Sequence, residues 1–342
     1  MAVTKTNNFQ ILSLSGGGYL GLYQAVILCE LEEKAGKPIA QCFDLLAGTS
    51  IGGIIALSLA LEVPAETIRR AFEKHGQSIF SARSSPQSTV SKLIDLGRAF
   101  FIPKYKHDGL RRALTDFIEP LTLLGDLKHP IVIPAINLTK GQPQIFKTPH
   151  HERFERDHRE TVHDVALATS AAPTFFPLAQ VRNELFTDGG LCANMPDFVA
   201  LHEAEYFFRI PTEHVSILSI GTTTSQFSFS HSIRRNLGIL DWFYDTRLLS
   251  VILSSQQKMT EFMLQHKLGE RYVRIDSIQS KAQERDLGLD VATPAAQSTI
   301  KGLASARLRE VIGTSKIREM LQHIPEEPQF FYGRFSNRAV SF

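Results

Sequence analysis

Two glycine-bounded segments bring together the residue types that do chemistry. Gly16-Gly17-Gly18-Tyr19-Leu20-Gly21 follows a short apolar run, Gln10–Ser15, and opens a stretch with apolar residues at helical spacing. Consecutive glycines accept positive φ, so successive N–H groups can point into one small space. The start of a helix adds partial positive charge there. The chemistry is capture of an anion, either a pyrophosphate or the oxyanion of an acyl-transfer intermediate. The second segment is Gly48-Thr49-Ser50-Ile51-Gly52, between the apolar run Phe43–Ala47 and the nearly all-apolar helix predicted at Ser50–Leu61. It has the form G-x-S-x-G at a strand-to-helix turn, which presents a serine hydroxyl as a nucleophile.

The two segments discriminate between readings. Gly16–Gly21 also fits G-x-G-x-x-G, the dinucleotide fingerprint, so a non-catalytic nucleotide-binding module is one alternative. That fold wants an acidic residue at the end of the second strand to hold a ribose. Asp44 has about the right separation but stands at the strand's start, and Ser50 occupies its end. Both glycine turns follow neighbouring strands and fall at the carboxyl edge of the sheet. This puts the N–H groups of Gly16, Gly17 and Gly18 beside Ser50 as an oxyanion hole, with Gly21, Gly48 and Gly52 shaping the turns.

A serine hydroxyl needs a base. Asp188-Gly189-Gly190 follows the short strand Leu185–Thr187. Alone, Asp-Gly is a common turn. Beside a serine lacking another partner, Asp188 becomes the candidate base, a sheltered carboxylate with its pKa matched to the task. Gly189 and Gly190 complete that motif. The rival is a Ser–Asp–His triad in a soluble esterase or thioesterase. Of the histidines after Asp188, His202 and His266 lie in predicted helices, and His214 precedes a strand at the amino edge. His323 is on no strand-end loop, and His231 is the least excluded. With no H-E-x-x-H and no paired C-x-x-C, no catalytic metal is expected.

The glycine turn, G-x-S-x-G and D-G-G in this order resemble the patatin-like phospholipase family over roughly Phe9–Gly221. Ala166–Pro177 (ALATSAAPTFFP) is similar to the helix before that family's aspartate strand. Leu249–Ile275 is similar to bacterial members, above all the phospholipase effectors of cyclic-nucleotide anti-phage systems. The resemblance implies a three-layer α/β/α patatin-like fold with a mainly parallel central sheet. It implies a dyad of Ser50 and Asp188, main-chain donors at Gly17 and Gly18, and hydrolysis of membrane glycerophospholipid esters without a cofactor. It also implies activation by a cyclic dinucleotide or trinucleotide, coupled to homo-oligomerisation, and no DNA or RNA partner. Arg69–Arg70 and Arg234–Arg235 are candidate phosphate contacts, with solvated helix faces as the alternative. Two positions depart from the family pattern: Leu20 replaces an arginine, and Met195 replaces an asparagine after Asn194.

These residues need a scaffold to position them. Helices are predicted at Tyr19–Lys34, Ala65–His75, Gly109–Glu119 and Phe198–Phe208, and at Thr161–Ala171 up to Pro173. Ile131–Leu138 and Gln144–Lys147 read as a hairpin and Val215–Ile220 as a buried strand. Beyond residue 221 the pattern is mostly helical: Ile233–Gln265, Pro294–Val311 and Lys316–His323, with one strand at Tyr272–Ile275. Ser81–Lys104 has no clear period and reads as a surface excursion. Its apolar Ala99–Pro103, next to Lys104 and Lys106, fits a lid touching anionic lipid or a buried loop.

Alternating strands and helices predict an α/β sheet covered on both faces. The expected organisation is a single domain over 1–342, with a motif-bearing core of about 9–221 and a mostly helical 222–342 packed on it. The chain has 342 residues, 43% hydrophobic and 21% charged, which excludes a disordered or collagen-like chain. A net charge of +2 gives no reason to expect a nucleic-acid coat, and 3 cysteines no disulfide framework. The uncharged stretches Thr6–Cys29 and Leu45–Leu61 are broken by glycine turns, and MAVTKTNNFQ lacks the features of a secretory signal. The expected place of action is the cytoplasm, peripherally on the inner membrane.

Overall fold

Short apolar runs buried on both faces build the centre of the molecule. The computed structural model describes residues 8–80, 103–223, 235–238, 241–242 and 247–336. Residues 81–102 of the expected surface excursion, including the Ala99–Ile102 part of its apolar run, lie outside these, as do His231 and Arg234. The strands are β1 (Phe9–Leu14), β2 (Leu45–Gly48), β3 (Ile131–Asn137), β4 (Gln142–Lys147), β5 (Ala179–Val181), β6 (Glu184–Asp188), β7 (Val215–Ile220) and β8 (Tyr272–Ile275). They form one sheet in the order β5-β6-β3-β2-β1-β7-β8, with β4 also on β3. β2, β1, β7 and β8 are parallel, and β3 continues them beside β2. β4, β5 and β6 add antiparallel pairings on one side.

Helices cover both faces. On one face lie α1 (Gly21–Ala35), α2 (Ile51–Ala60), α3 (Ala65–Ile79), α4 (His107–Thr115) and α5 (Val162–Ser170). The short α6 (Gly190–Ala193) follows β6. The other face carries α7 (Asp197–Tyr206) and α8 (Arg247–Leu268). The short α9 (Gln283–Asp286) precedes α10 (Pro294–Val311) and α11 (Ser315–Gln322), which pack with α1 on the first face. Leu12 and Leu14 of β1 point into the first core and Phe9 and Ile11 into the second, as strand alternation requires. All ten residues of α2 are buried, which explains a helix with almost no polar face.

Boundaries moved where local turns intervene. The second strand starts at Leu45 rather than Phe43 because a 3-10 turn at Ile39–Cys42 precedes it. Within the predicted span Ile233–Gln265 the structure has α8 from Arg247, and it continues to Leu268. Among the described residues, no helix is long and apolar enough to cross a membrane.

Candidate active site

β1 and β2 run parallel in register, Leu14 beside Gly48, so both glycine turns leave the sheet at the same edge. The second turn is tight. A Cβ at Gly52 would sit 2.3 Å from the Leu14 carbonyl oxygen, and one at Gly48 would sit 2.2 Å from that of Gly52. Only hydrogen at both positions lets α2 start this close to the strands. Ser50 is thereby held at φ 54°, ψ −124°, a region that side chains rarely tolerate. Serine is a favoured helix cap, but this one makes no cap. Its hydroxyl turns away from the helix and donates to Asp188 Oδ2 at 2.7 Å.

Asp188 arrives by a route that strand order alone does not suggest. β4 takes one edge of β3. The other edge is shared: β2 pairs with Ile131–Val132, and β6 runs antiparallel along Ala135–Asn137. β6 therefore ends facing the end of β2, and its last residue meets Ser50. Asp188 is 6% exposed, and Oδ1 accepts the Gly190 N–H at 2.6 Å. Burial pushes its carboxyl up to about 6, against the opposing pull of Gly190 N–H and the Ser50 hydroxyl. A carboxylate so placed is ionised near neutral pH yet basic enough to accept a proton.

The glycine turn supplies donors, with one correction. Gly16 was expected to contribute an N–H, but that group donates to the Asn194 carbonyl at 2.8 Å and is occupied. The Gly16 carbonyl is itself held by Thr222 Oγ1 at 3.0 Å, so Gly16 anchors the turn. Among the described residues, the N–H groups of Gly17 and Gly18 have no partner, and both glycines line the same pocket as Ser50 and Asp188. Gly18 needs its freedom: φ is +56°, and a Cβ would meet the Leu289 carbonyl oxygen at 2.0 Å. Ile51 N–H, in the first turn of α2, lies beyond the reach of intrahelical acceptors and lines the pocket too. The rest of the wall is mainly apolar, including Ile54, Leu110, Phe176, Leu249, Leu253 and Leu289, and suits an acyl chain.

The family profile of patatin-like phospholipases matches residues 12–201, more than half of the chain. The chain belongs to the patatin-like phospholipase family. A "cGAMP-activated phospholipase" of Pseudomonas aeruginosa is 38% identical over 339 residues, 98% of each chain. A protein of that name from Vibrio cholerae is 35% identical over 87% of this chain and 89% of its own length. Another from Escherichia coli is 34% identical over 83% and 84%. The patatin fold accordingly carries the serine turn at the carboxyl edge of its parallel strands.

The other expected residues fall into place around this centre. Gly21 packs against Ile51, where a Cβ would lie 2.6 Å from its side chain, and Gly189 passes Pro134 as closely. Asp44 sits at the amino edge, accepting Gln10 N–H and bonded to His323, each at 2.7 Å. Arg69 and Arg70 are held in ion pairs along α3 with Glu66 and Glu73 and do not line the pocket that holds Ser50. Lys104, expected beside lipid headgroups, pairs with Asp290. Leu20 is buried in the first core and Met195 in the second. Among the described residues, no histidine bonds to Ser50 or Asp188.

Sequence reasoning missed Thr169. Its hydroxyl accepts Ser50 N–H at 3.0 Å and donates to Pro134 O at 2.6 Å, while its carbonyl accepts Gly189 N–H at 3.2 Å. One residue thus positions both halves of the pair. A lone threonine in an apolar helix gives no sequence signal of this. Among the described residues, no cluster of His, Cys, Asp and Glu could hold a metal ion.

Proposed function

We propose that this protein hydrolyses the acyl esters of membrane glycerophospholipids with Ser50 as nucleophile and Asp188 as its base. The observation that carries this reading is the 2.7 Å Ser50–Asp188 hydrogen bond at an apolar pocket. Asp188 takes the hydroxyl proton as Ser50 Oγ attacks the ester carbonyl. The Gly17 and Gly18 N–H groups receive the developing oxyanion, helped by Ile51 N–H. Asp188 then returns its proton to the departing lysolipid oxygen, leaving an acyl-serine. Water, deprotonated by Asp188, attacks that ester, and fatty acid leaves as Ser50 recovers its proton. The step needs no metal or cofactor.

Such an activity threatens the membrane of its own cell, so an off-state follows. The names of the bacterial relatives support a cyclic nucleotide, cGAMP first, as the activating ligand. We place the action in the cytoplasm, peripherally on the inner membrane, as an anti-phage effector whose activation accompanies self-association. The test is fatty-acid release from phosphatidylethanolamine–phosphatidylglycerol vesicles across a panel of cyclic di- and trinucleotides, with Ser50→Ala as control. The expected outcome is nucleotide-dependent release in the wild type and none in Ser50→Ala. Equal release with and without every nucleotide would remove the switch. Release by Ser50→Ala would remove the nucleophile.

A further inference from the structure

A second cleft, unused by the hydrolytic chemistry, opens over β8 at the edge of the sheet. It is a cavity of about 330 Å³, within the range of small-molecule sites. Its walls come from three elements: Gln257 and Lys258 of α8, Arg274 and Asp276 at the end of β8, and Arg307 of α10. The acyl pocket is mainly apolar, whereas this cleft is lined by charged and amide groups. It runs along β8 from Tyr272 to Asp276 and Ser277 just past the strand's carboxyl end.

We propose that this cleft binds an anionic nucleotide and that the bound nucleotide acts on the glycine turn. The inference rests on the nucleotide switch proposed above and adds its site and route. Each cation already holds a carboxylate: Lys258 with Glu261 at 3.0 Å, Arg307 with Glu310 at 2.6 Å, and Arg274 with Asp276 at 2.8 Å. A phosphate enters by exchange, taking guanidinium and ammonium partners from these carboxylates. Arg307 Nε is buried and has no acceptor among the described residues. A native fold seldom leaves such a donor unpaired, and a ligand oxygen would satisfy it. The Gln257 amide and the Asp276 carboxylate offer both hydrogen-bond senses to the edge of a base.

The route to the active site is contiguous. Arg274 Nη1 donates to Ser15 Oγ at 3.0 Å and to Ser219 Oγ at 2.7 Å. Ser15 directly precedes Gly16. Asp276 Oδ1 accepts Thr223 N–H at 3.0 Å, and the neighbouring Thr222 Oγ1 donates to Gly16 O. Both members of the Arg274–Asp276 pair therefore end on the turn that presents the Gly17 and Gly18 donors. Exchanging Asp276 for phosphate at Arg274 alters both connections together.

The experiment is calorimetric titration of the full chain with cGAMP, with thermal melts to verify folding. Arg307→Ala and Lys258→Ala should each weaken binding about 10-fold or more, the loss expected for a charge-assisted hydrogen bond. Arg309→Ala, exposed on α10 and outside the cleft, should bind as the wild type does. Wild-type binding with undiminished affinity in both cleft variants would overturn the site and leave the nucleotide switch standing. No binding of cGAMP to the wild type would overturn this site for cGAMP, and no binding of any cyclic di- or trinucleotide in the panel would overturn the switch as well. Thr222→Val should bind within about twofold of the wild type yet lose the ratio of vesicle hydrolysis with and without cGAMP. A wild-type ratio in that variant would overturn the route.

Discussion

Asp188→Asn separates the carboxylate's chemistry from its place in the fold. Asn can keep both contacts: its carbonyl oxygen accepts Gly190 N–H in place of Oδ1, and its amide donates to Ser50 Oγ in place of Oδ2. The hydroxyl then faces a donor and has nothing to receive its proton. Removing a general base costs about 10²–10⁴ in rate. Stability should move the other way. The folded carboxyl titrates at about 6 instead of 3.8, because burial opposes its charge. At 1.36 kcal/mol per tenfold in proton affinity, holding it ionised costs roughly 3 kcal/mol. Between pH 4 and 6 the folded state binds more protons than the unfolded one, so this group's contribution falls as pH rises. It is fully favourable below the unfolded value and lost above the folded one. Asn carries no such cost. Asp188→Asn should therefore melt a few degrees above the wild type at pH 8, with the gap closing below pH 4. Hydrolysis of a fluorogenic phospholipid by the wild type should rise with pH through about 6. Hydrolysis by Asp188→Asn within tenfold of the wild type at pH 8 would refute the base assignment, and a gap in melting temperature independent of pH would refute the buried charge.

Thr169→Val is nearly isosteric but strips the acceptor from Ser50 N–H and the donor from Pro134 O. It should lower stability by about 1–3 kcal/mol in a denaturant titration and kcat by about tenfold, with KM little changed. Leu253→Trp, on the wall beside Gly190, should fill the acyl pocket. Long-chain phospholipid hydrolysis should fall at least about tenfold while p-nitrophenyl acetate is still cleaved, and equal losses on both substrates would place Leu253 outside the acyl path.

The strand–turn–helix placement of Ser50 was legible in the sequence because both causes are local. Glycines at 48 and 52 have a purpose readable from spacing, and an apolar run before a wholly apolar helix has few other solutions. Val215–Ile220, Tyr272–Ile275 and Pro294–Val311 were legible to the residue for the same reason, since hydrophobic period and end signals agree there. Asp188 was legible only as a candidate. Whether it reaches Ser50 depends on β6 turning antiparallel and sharing one edge of β3 with β2, a long-range pairing that no local pattern encodes.

The same limit explains Gly16. Its glycine character is visible in the sequence, but the loss of its N–H to Asn194 arises from a chain 178 positions away. Thr169 and the charged cleft at Arg274 likewise exist only once distant segments pack. The sequence by itself determined which groups could react and the turns that display them, because backbone sterics act between neighbours. Tertiary structure alone decided that the carboxylate beside Ser50 is buried enough to be pushed up to about 6, since desolvation is a property of everything packed around a group.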